Sequence, residues 1–293
     1  MKNKLFLPAF LVFASDLHAI TVISFPDVAT LISGTSEQIN TQYRYSNVGT
    51  IAATGASFDA ILTLSSEVNG ASFSVPLPQP SPNPPRDTLI GVGENGRFFI
   101  EPSFISESPA GSLSYVEFNI RFVESNSLNA VVGETVSLVI TDIDSQTGSD
   151  FSDIFGIQAD LGGVYTLSNN TSLVSSFTVG SQDTYRTFSL DTSTDLTSAP
   201  NASVALANFE LNQTPYTVQF DIADVGASGI NFLWGMVEGA TGTFDHNNVR
   251  RSYIDGTGTF AFVGETTTEG IPEPSSLLLV SLLPALAFMR RKR

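Results

Sequence analysis

Ser114-Tyr115-Val116-Glu117-Phe118-Asn119-Ile120-Arg121-Phe122-Val123-Glu124 is the stretch on which the fold turns. Val116, Phe118, Ile120 and Phe122 recur at period two, and Tyr115, Glu117, Asn119 and Arg121 fill the alternate positions. Successive side chains of a strand point to opposite faces, so the pattern predicts a strand with one face in a core and the other toward water. Tyr216 to Val225 repeats it, with Tyr216, Val218, Phe220 and Ile222 set against Thr217, Gln219, Asp221 and Ala223. Half-buried strands of this kind belong to antiparallel sheets.

Outward from these two, runs broken by Gly, Asn, Asp, Ser and Pro predict further strands. They cover Gln42 to Tyr45, Phe58 to Leu64, Ser72 to Val75, Phe98 to Glu101, Thr135 to Ile143, Tyr165 to Ser168 and Leu173 to Val179. Thr187 to Leu190, Val204 to Leu211, Ile230 to Val237 and Thr259 to Val263 complete the set. No helical period interrupts them. Each strand needs a second sheet against which to bury one face, so the expected class is all-β, an antiparallel β-sandwich of jelly-roll or immunoglobulin-like type. Prolines at 76, 78, 80, 82, 84 and 85 keep residues 76–85 out of any sheet interior. That segment reads as a long loop within one body, 20–269, and is the place where the body could be subdivided.

The two ends have a different character. Lys2 and Lys4, the apolar run Leu5 to Ala14 and Leu17-His18-Ala19 form the three parts of a secretory signal peptide, residues 1–19, cut after Ala19. At the other end, within 270–293, Ile271-Pro272-Glu273-Pro274-Ser275-Ser276 leads into an apolar segment, Leu277 to Met289, and then Arg290-Arg291-Lys292-Arg293. Thirteen apolar residues rise about 20 Å as a helix, short of the ~30 Å hydrocarbon core. The segment therefore reads as a marginal membrane helix that is later processed. Its terminal cations stay on the cytoplasmic side, which puts the body outside the cytoplasm.

These residues, in this order at the extreme C-terminus, resemble the PEP-CTERM sorting tail of exported proteins of Gram-negative bacteria. The resemblance implies recognition by exosortase, a membrane protease-transpeptidase, in an exopolysaccharide-making host. It assigns recognition to the motif Pro272, Glu273, Pro274 and Ser275, retention to 277–289 and orientation to Arg290, Arg291, Lys292 and Arg293. The implied course is the inner membrane first, then the cell surface or extracellular matrix. A looser likeness runs through Tyr43-Arg44-Tyr45-Ser46-Asn47-Val48, Asp59 to Leu64, Ser114 to Phe118 and Thr141 to Asp144. These words look like an uncharacterised surface module of bacterial secreted and adhesin-like chains.

Composition narrows the functions open to the body. Without its two ends it carries seven cationic side chains, all arginine, against 27 carboxylates. A net charge of −20 repels nucleic acid and anionic lipid, so no nucleic-acid partner is expected. The absence of cysteine removes disulfides, thiolate catalysis and thiolate metal sites. His246 is the one histidine left after the signal, and no Gly-x-Ser-x-Gly elbow accompanies it, so a serine hydrolase is not expected. The leading expectation is a non-catalytic surface or exopolysaccharide-associated protein. A calcium- or carbohydrate-binding adhesin-like module and a secreted hydrolase using paired carboxylates are the alternatives.

The one cofactor the pattern suggests is Ca²⁺. Asp142 and Asp144 stand at period two at the end of a predicted strand, and a Gly148 turn could bring Asp150 or Asp153 round to them. Gln146 at the third ligand position and a glycine one place late exclude an EF-hand. Trp234 is read as core and not as a sugar platform, because Phe232 and Met236 share its face.

Overall fold

The computed structural model describes residues 20–23, 25, 29–73, 90–92, 98–100, 103–104, 111–145, 150–193, 196, 214–239, 248–249, 252–255 and 266–270. The signal 1–19, the Pro-rich loop 76–85, His246, the tail 271–293 and the strands expected over 204–211 and 259–263 lie outside the described residues. In chain order the strands are β1 (Ile20–Val22), β2 (Ala29–Ser33), β3 (Gln42–Thr50), β4 (Ser57–Val68), β5 (Ala71–Ser72), β6 (Ile90–Val92) and β7 (Phe98–Ile100). Next come β8 (Ser103–Phe104), β9 (Leu113–Glu124), β10 (Thr135–Thr141), β11 (Phe151–Gln158), β12 (Gly163–Ser168) and β13 (Val174–Val179). The last are β14 (Thr184–Ser189), β15 (Val218–Ile222), β16 (Ile230–Glu238), β17 (Asn248–Val249), β18 (Ser252–Asp255) and β19 (Thr266–Gly270). Among the described residues there is no α-helix, and none long and apolar enough to cross a membrane.

Two large sheets carry the body. One runs β19-β12-β15-β10-β18-β7-β6 with β1 beside β10; the other runs β13-β14-β11-β16-β9-β4-β3-β2. A small sheet, β17-β8-β5, is not hydrogen-bonded into either. Neighbours are antiparallel throughout, except that β1 lies parallel to β10. The chain is therefore an all-β protein built on antiparallel sheets, as the alternation predicted.

The register explains where the core sits. β9 is flanked by β16, with Phe118 opposite Phe232 and Val116 opposite Trp234, and by β4, with Ile120 opposite Leu62 and Phe122 opposite Ala60. Val116, Phe118, Ile120 and Phe122 are all buried in one cluster with Leu138 and Ile140 of β10 and Val218, Phe220 and Ile222 of β15. Ring contacts join the two sheets: Phe188 of β14 meets Phe220 edge-on at 5.5 Å and Tyr165 of β12 at 5.0 Å. Buried aromatic pairs in such tilted geometries add to the apolar burial that holds two sheets face to face. Trp234 is fully buried beside Phe155, which bears out its reading as core.

Three sequence expectations need correction. Residues 151–158 form a strand, β11, where a turn was expected after the acidic stretch. β11 is central and buried on both faces, so it shows no polar alternation to betray it. Tyr216 closes a short 3-10 turn, Thr214–Tyr216, and the strand begins only at Val218. The second face of β9 is also drier than alternation suggests, because Tyr115, Glu117 and Val123 are buried. Tyr115 belongs to a second apolar cluster with Ile154, Tyr185 and Leu233 on the sheet's outer side, under the tip of the β13–β14 hairpin.

Candidate functional site

An ionised carboxyl is seldom buried without compensation. Seven are buried among the described residues: Asp59, Glu117, Asp142, Asp144, Asp150, Asp153 and Glu238. Two of them have evident structural duties.

Asp59 sits on β4 opposite Val123 of β9, under the irregular register between Tyr45 and Gly49 of β3. One of its oxygens accepts the Asn47 N–H at 3.0 Å and the Ser125 hydroxyl at 2.8 Å. The other accepts the Asn126 N–H at 3.3 Å and faces Arg44 Nε at 3.7 Å. Asn47 and Asn126 both take positive φ, 58° and 60°, a conformation that asparagine tolerates. Arg44 also donates to the Ser127 carbonyl. Asp59 thus ties a bulged strand to the turn after β9.

Glu117, on the outer face of β9, is completely buried by the β13–β14 hairpin tip. It accepts the Ser66 and Ser181 hydroxyls and the Gln182 N–H at 3.1 Å. A Cβ on Gly180 would lie 2.2 Å from Glu117 Oε1, so this close approach requires glycine. Burial, followed by the charge of Glu117, raises the Tyr115 and Tyr185 hydroxyls above their usual range.

The other five lie in the crossover between β10 and β11, early in β11 and at the end of β16. Asp142 turns the chain out of β10 at φ 71°. Ile143 N–H then donates to the Tyr216 carbonyl at 3.2 Å, and Asp153 N–H to the Asp144 carbonyl at 2.7 Å, which pins the crossover to both sheets. The Tyr216 hydroxyl is pushed up by burial and then by the charge of Asp144. Asp150 Oδ1 accepts the Leu196 N–H at 3.0 Å, and its carbonyl accepts the Gly239 N–H at 2.8 Å. Next to Gly239 stands Glu238, in register with Phe151. Phe232, Trp234 and Met236 occupy the alternate positions of β16 within the core, so Glu238 continues their inward face. It is 4% exposed, and its Oε1 has no hydrogen-bond partner. Burial, and then the charge of Asp150, raises its carboxyl to about 7.

All four aspartates expected to bind calcium are buried, but they do not form one cluster. Asp153 belongs to strand β11 and not to a turn. Among the described residues no three acidic side chains converge on one point as a metal cage. The structure instead brings Asp144 to Asp153 through the backbone, and Asp150 to Glu238 through charge. Glu238 was missed in the sequence because the predicted strand ended at Val237. Its signal was there: an acid two places beyond Met236 on a core-facing alternation.

No protein-family model matches the chain, and no curated sequence matches it. Among solved structures, the chain is similar to glucan binding protein C of Streptococcus mutans, described as mediating sucrose-independent and -dependent adherence. Identity there is 10% and the TM-score 0.39, over 78% of this chain and 62% of that one. It is also similar to the adhesin domain of PrgB from Enterococcus faecalis, with 11% identity and a TM-score of 0.36, over 80% of this chain and 68% of that one. The chain spans about three fifths of the first structure's length.

Proposed function

We propose that this chain is an exported, non-catalytic surface or extracellular-matrix protein, whose β body is an adhesin-like binding module and whose last residues direct its sorting. The observation that carries the reading is the ordered C-terminal sequence: Pro272-Glu273-Pro274-Ser275, the apolar run 277–289, and Arg290-Arg291-Lys292-Arg293. An apolar run too short to span comfortably and closed by four cations suits transient retention at the inner membrane with the body outside. The signal-like residues 1–19 agree with that orientation. A body with no cysteine and a large inter-sheet core is stable through burial alone, whatever the redox state around it. On this reading the body belongs to the jelly-roll or immunoglobulin-like branch of the sandwiches, a reading that its two antiparallel sheets support. The partners proposed are an exosortase-type membrane protease for the tail and exopolysaccharide for the body.

Intact mass and fractionation of the mature protein from its host test the reading. The expected product lacks residues 1–19 and those beyond the Pro-Glu-Pro motif, and is found outside the inner membrane. Glu273→Ala should leave export intact and block this maturation. An intact basic tail in the inner-membrane fraction, or unchanged processing of Glu273→Ala, would overturn the sorting proposal.

A further inference from the structure

Five of the seven buried carboxyls gather at one end of the sandwich: Asp142, Asp144 and Asp150 in the crossover between β10 and β11, Asp153 early in β11, and Glu238 at the end of β16. The ion pair found among the described residues, Arg44 with Asp59, belongs elsewhere. Two buried carboxyls side by side resist ionising together unless something positive joins them. Glu238 is directed inward along β16, with an oxygen that meets no donor. Asp150 stands beside it at the β11–β16 strand ends: Phe151 is in register with Glu238, the Asp150 carbonyl accepts the Gly239 N–H at 2.8 Å, and Asp150 Oδ1 lies against Gly239. Ser145, fully buried in the same crossover, has a hydroxyl that likewise meets no partner. Clustered hard oxygens with an unmet anionic member are the chemistry of a calcium-type cation, which takes carboxylate, carbonyl and water oxygens in a flexible shell.

We propose that Asp150 and Glu238 are the two anionic ligands of one divalent cation of the calcium type, held where the β10–β11 crossover meets the end of β16. The remaining ligands are neutral oxygens, since among the described residues no third carboxylate converges on the pair. A site with only two carboxylates belongs at the weak end of calcium binding, with a Kd of about 10⁻⁴ to 10⁻³ M. The cation would hold the crossover to β16 and so brace the joint between the two sheets.

The pair lies beside a built-in reporter. Trp234 is four residues before Glu238 on the same strand, about 13 Å away at strand rise. Terbium, a calcium surrogate, bound at the pair should therefore luminesce on tryptophan excitation. The test titrates the purified full chain with terbium and then calcium, and records melting temperature in calcium and in chelator. Saturable luminescence displaced by calcium, with a melting temperature raised by calcium, is expected. Glu238→Gln should weaken binding at least tenfold and remove the calcium response, while Glu124→Gln, an exposed acid at the far end of β9, should change neither. Absence of saturation by about 10 mM calcium, or wild-type affinity in Glu238→Gln, would overturn the proposal. So would stability that follows pH through the neutral range and ignores calcium, because the pair would then hold a proton instead. If Glu238→Gln fails to fold, Asp150→Asn carries the same comparison, and unchanged affinity there overturns the site.

Discussion

At one end of β9, opposite Val123, Asp59 is surrounded by two backbone amides, a serine hydroxyl and an arginine. At the other end, across from Ser112, Glu238 is as well buried and its Oε1 meets no donor. About 40 Å of strand separates the two, at ~3.3 Å per residue. One environment compensates a fixed charge from within the fold, which is what a structural carboxylate requires. The other leaves a charge for a proton or a cation to settle, which makes that end responsive to solution conditions. Both lie in the same sheet, so the difference belongs to their surroundings and not to the fold class.

The largest expected effect comes from breaking the compensated end. Asp59→Ala removes the acceptor for two amides and a hydroxyl and strands the partly buried Arg44, which should cost about 3 kcal/mol. Urea unfolding of the variant should show a lower midpoint with an unchanged slope. A loss below about 0.5 kcal/mol, the range of ordinary surface substitutions, would mean that Asp59 is not a structural centre.

The second effect is smaller and depends on pH. Glu238 has a folded-state value of about 7, above the ordinary 4.5 of an exposed glutamate. A carboxyl raised in this way contributes its stability in full below the unfolded value. That contribution is lost as pH rises toward and through about 7, because the unfolded chain ionises first. The titratable groups around it are Asp150 and, farther along the inward face of β11, Asp153; Ser112, whose carbonyl accepts the Glu238 N–H, carries no charge. In chelator, stability should therefore fall by roughly 1 to 2 kcal/mol between pH 5 and 8, after allowance for solvent screening. Glu238→Gln should flatten that fall. A variant with the same pH profile as the wild type would remove the contrast between the two ends of β9.

How much of this was legible in the sequence follows from burial. β9 and β15 could be read because one face of each carries polar residues and the other does not. β11 could not be read, because Phe151-Ser152-Asp153-Ile154-Phe155-Gly156-Ile157 is packed on both sides and its small and acidic members resemble a turn. The acidic stretch stands out by its spacing, yet its aspartates divide between a crossover and a strand. The partner of Asp150 came from 88 positions away, a juxtaposition set by the pairing of β11 with β16, which no local spacing encodes.

Glu117 falls between the two extremes and sharpens the comparison. It is as buried as Asp59, but its donors come from the Ser66 and Ser181 hydroxyls and the Gln182 amide, two of the three on a hairpin tip. If donors from a rigid sheet and donors from a tip compensate a carboxylate in different ways, the change at Glu117 should be felt locally. Glu117→Gln keeps one carbonyl for the Gln182 amide but replaces the oxygen that accepts both hydroxyls with a donating amide. Hydrogen exchange at Gln182 should then quicken about tenfold, an opening made easier by about 1.4 kcal/mol, while amides in β9 and β16 keep their protection. Uniform loss across β9 and β16 would instead show that the tip is part of the cooperative core. Glu117 would then belong with Asp59 as a centre on which the whole sheet depends.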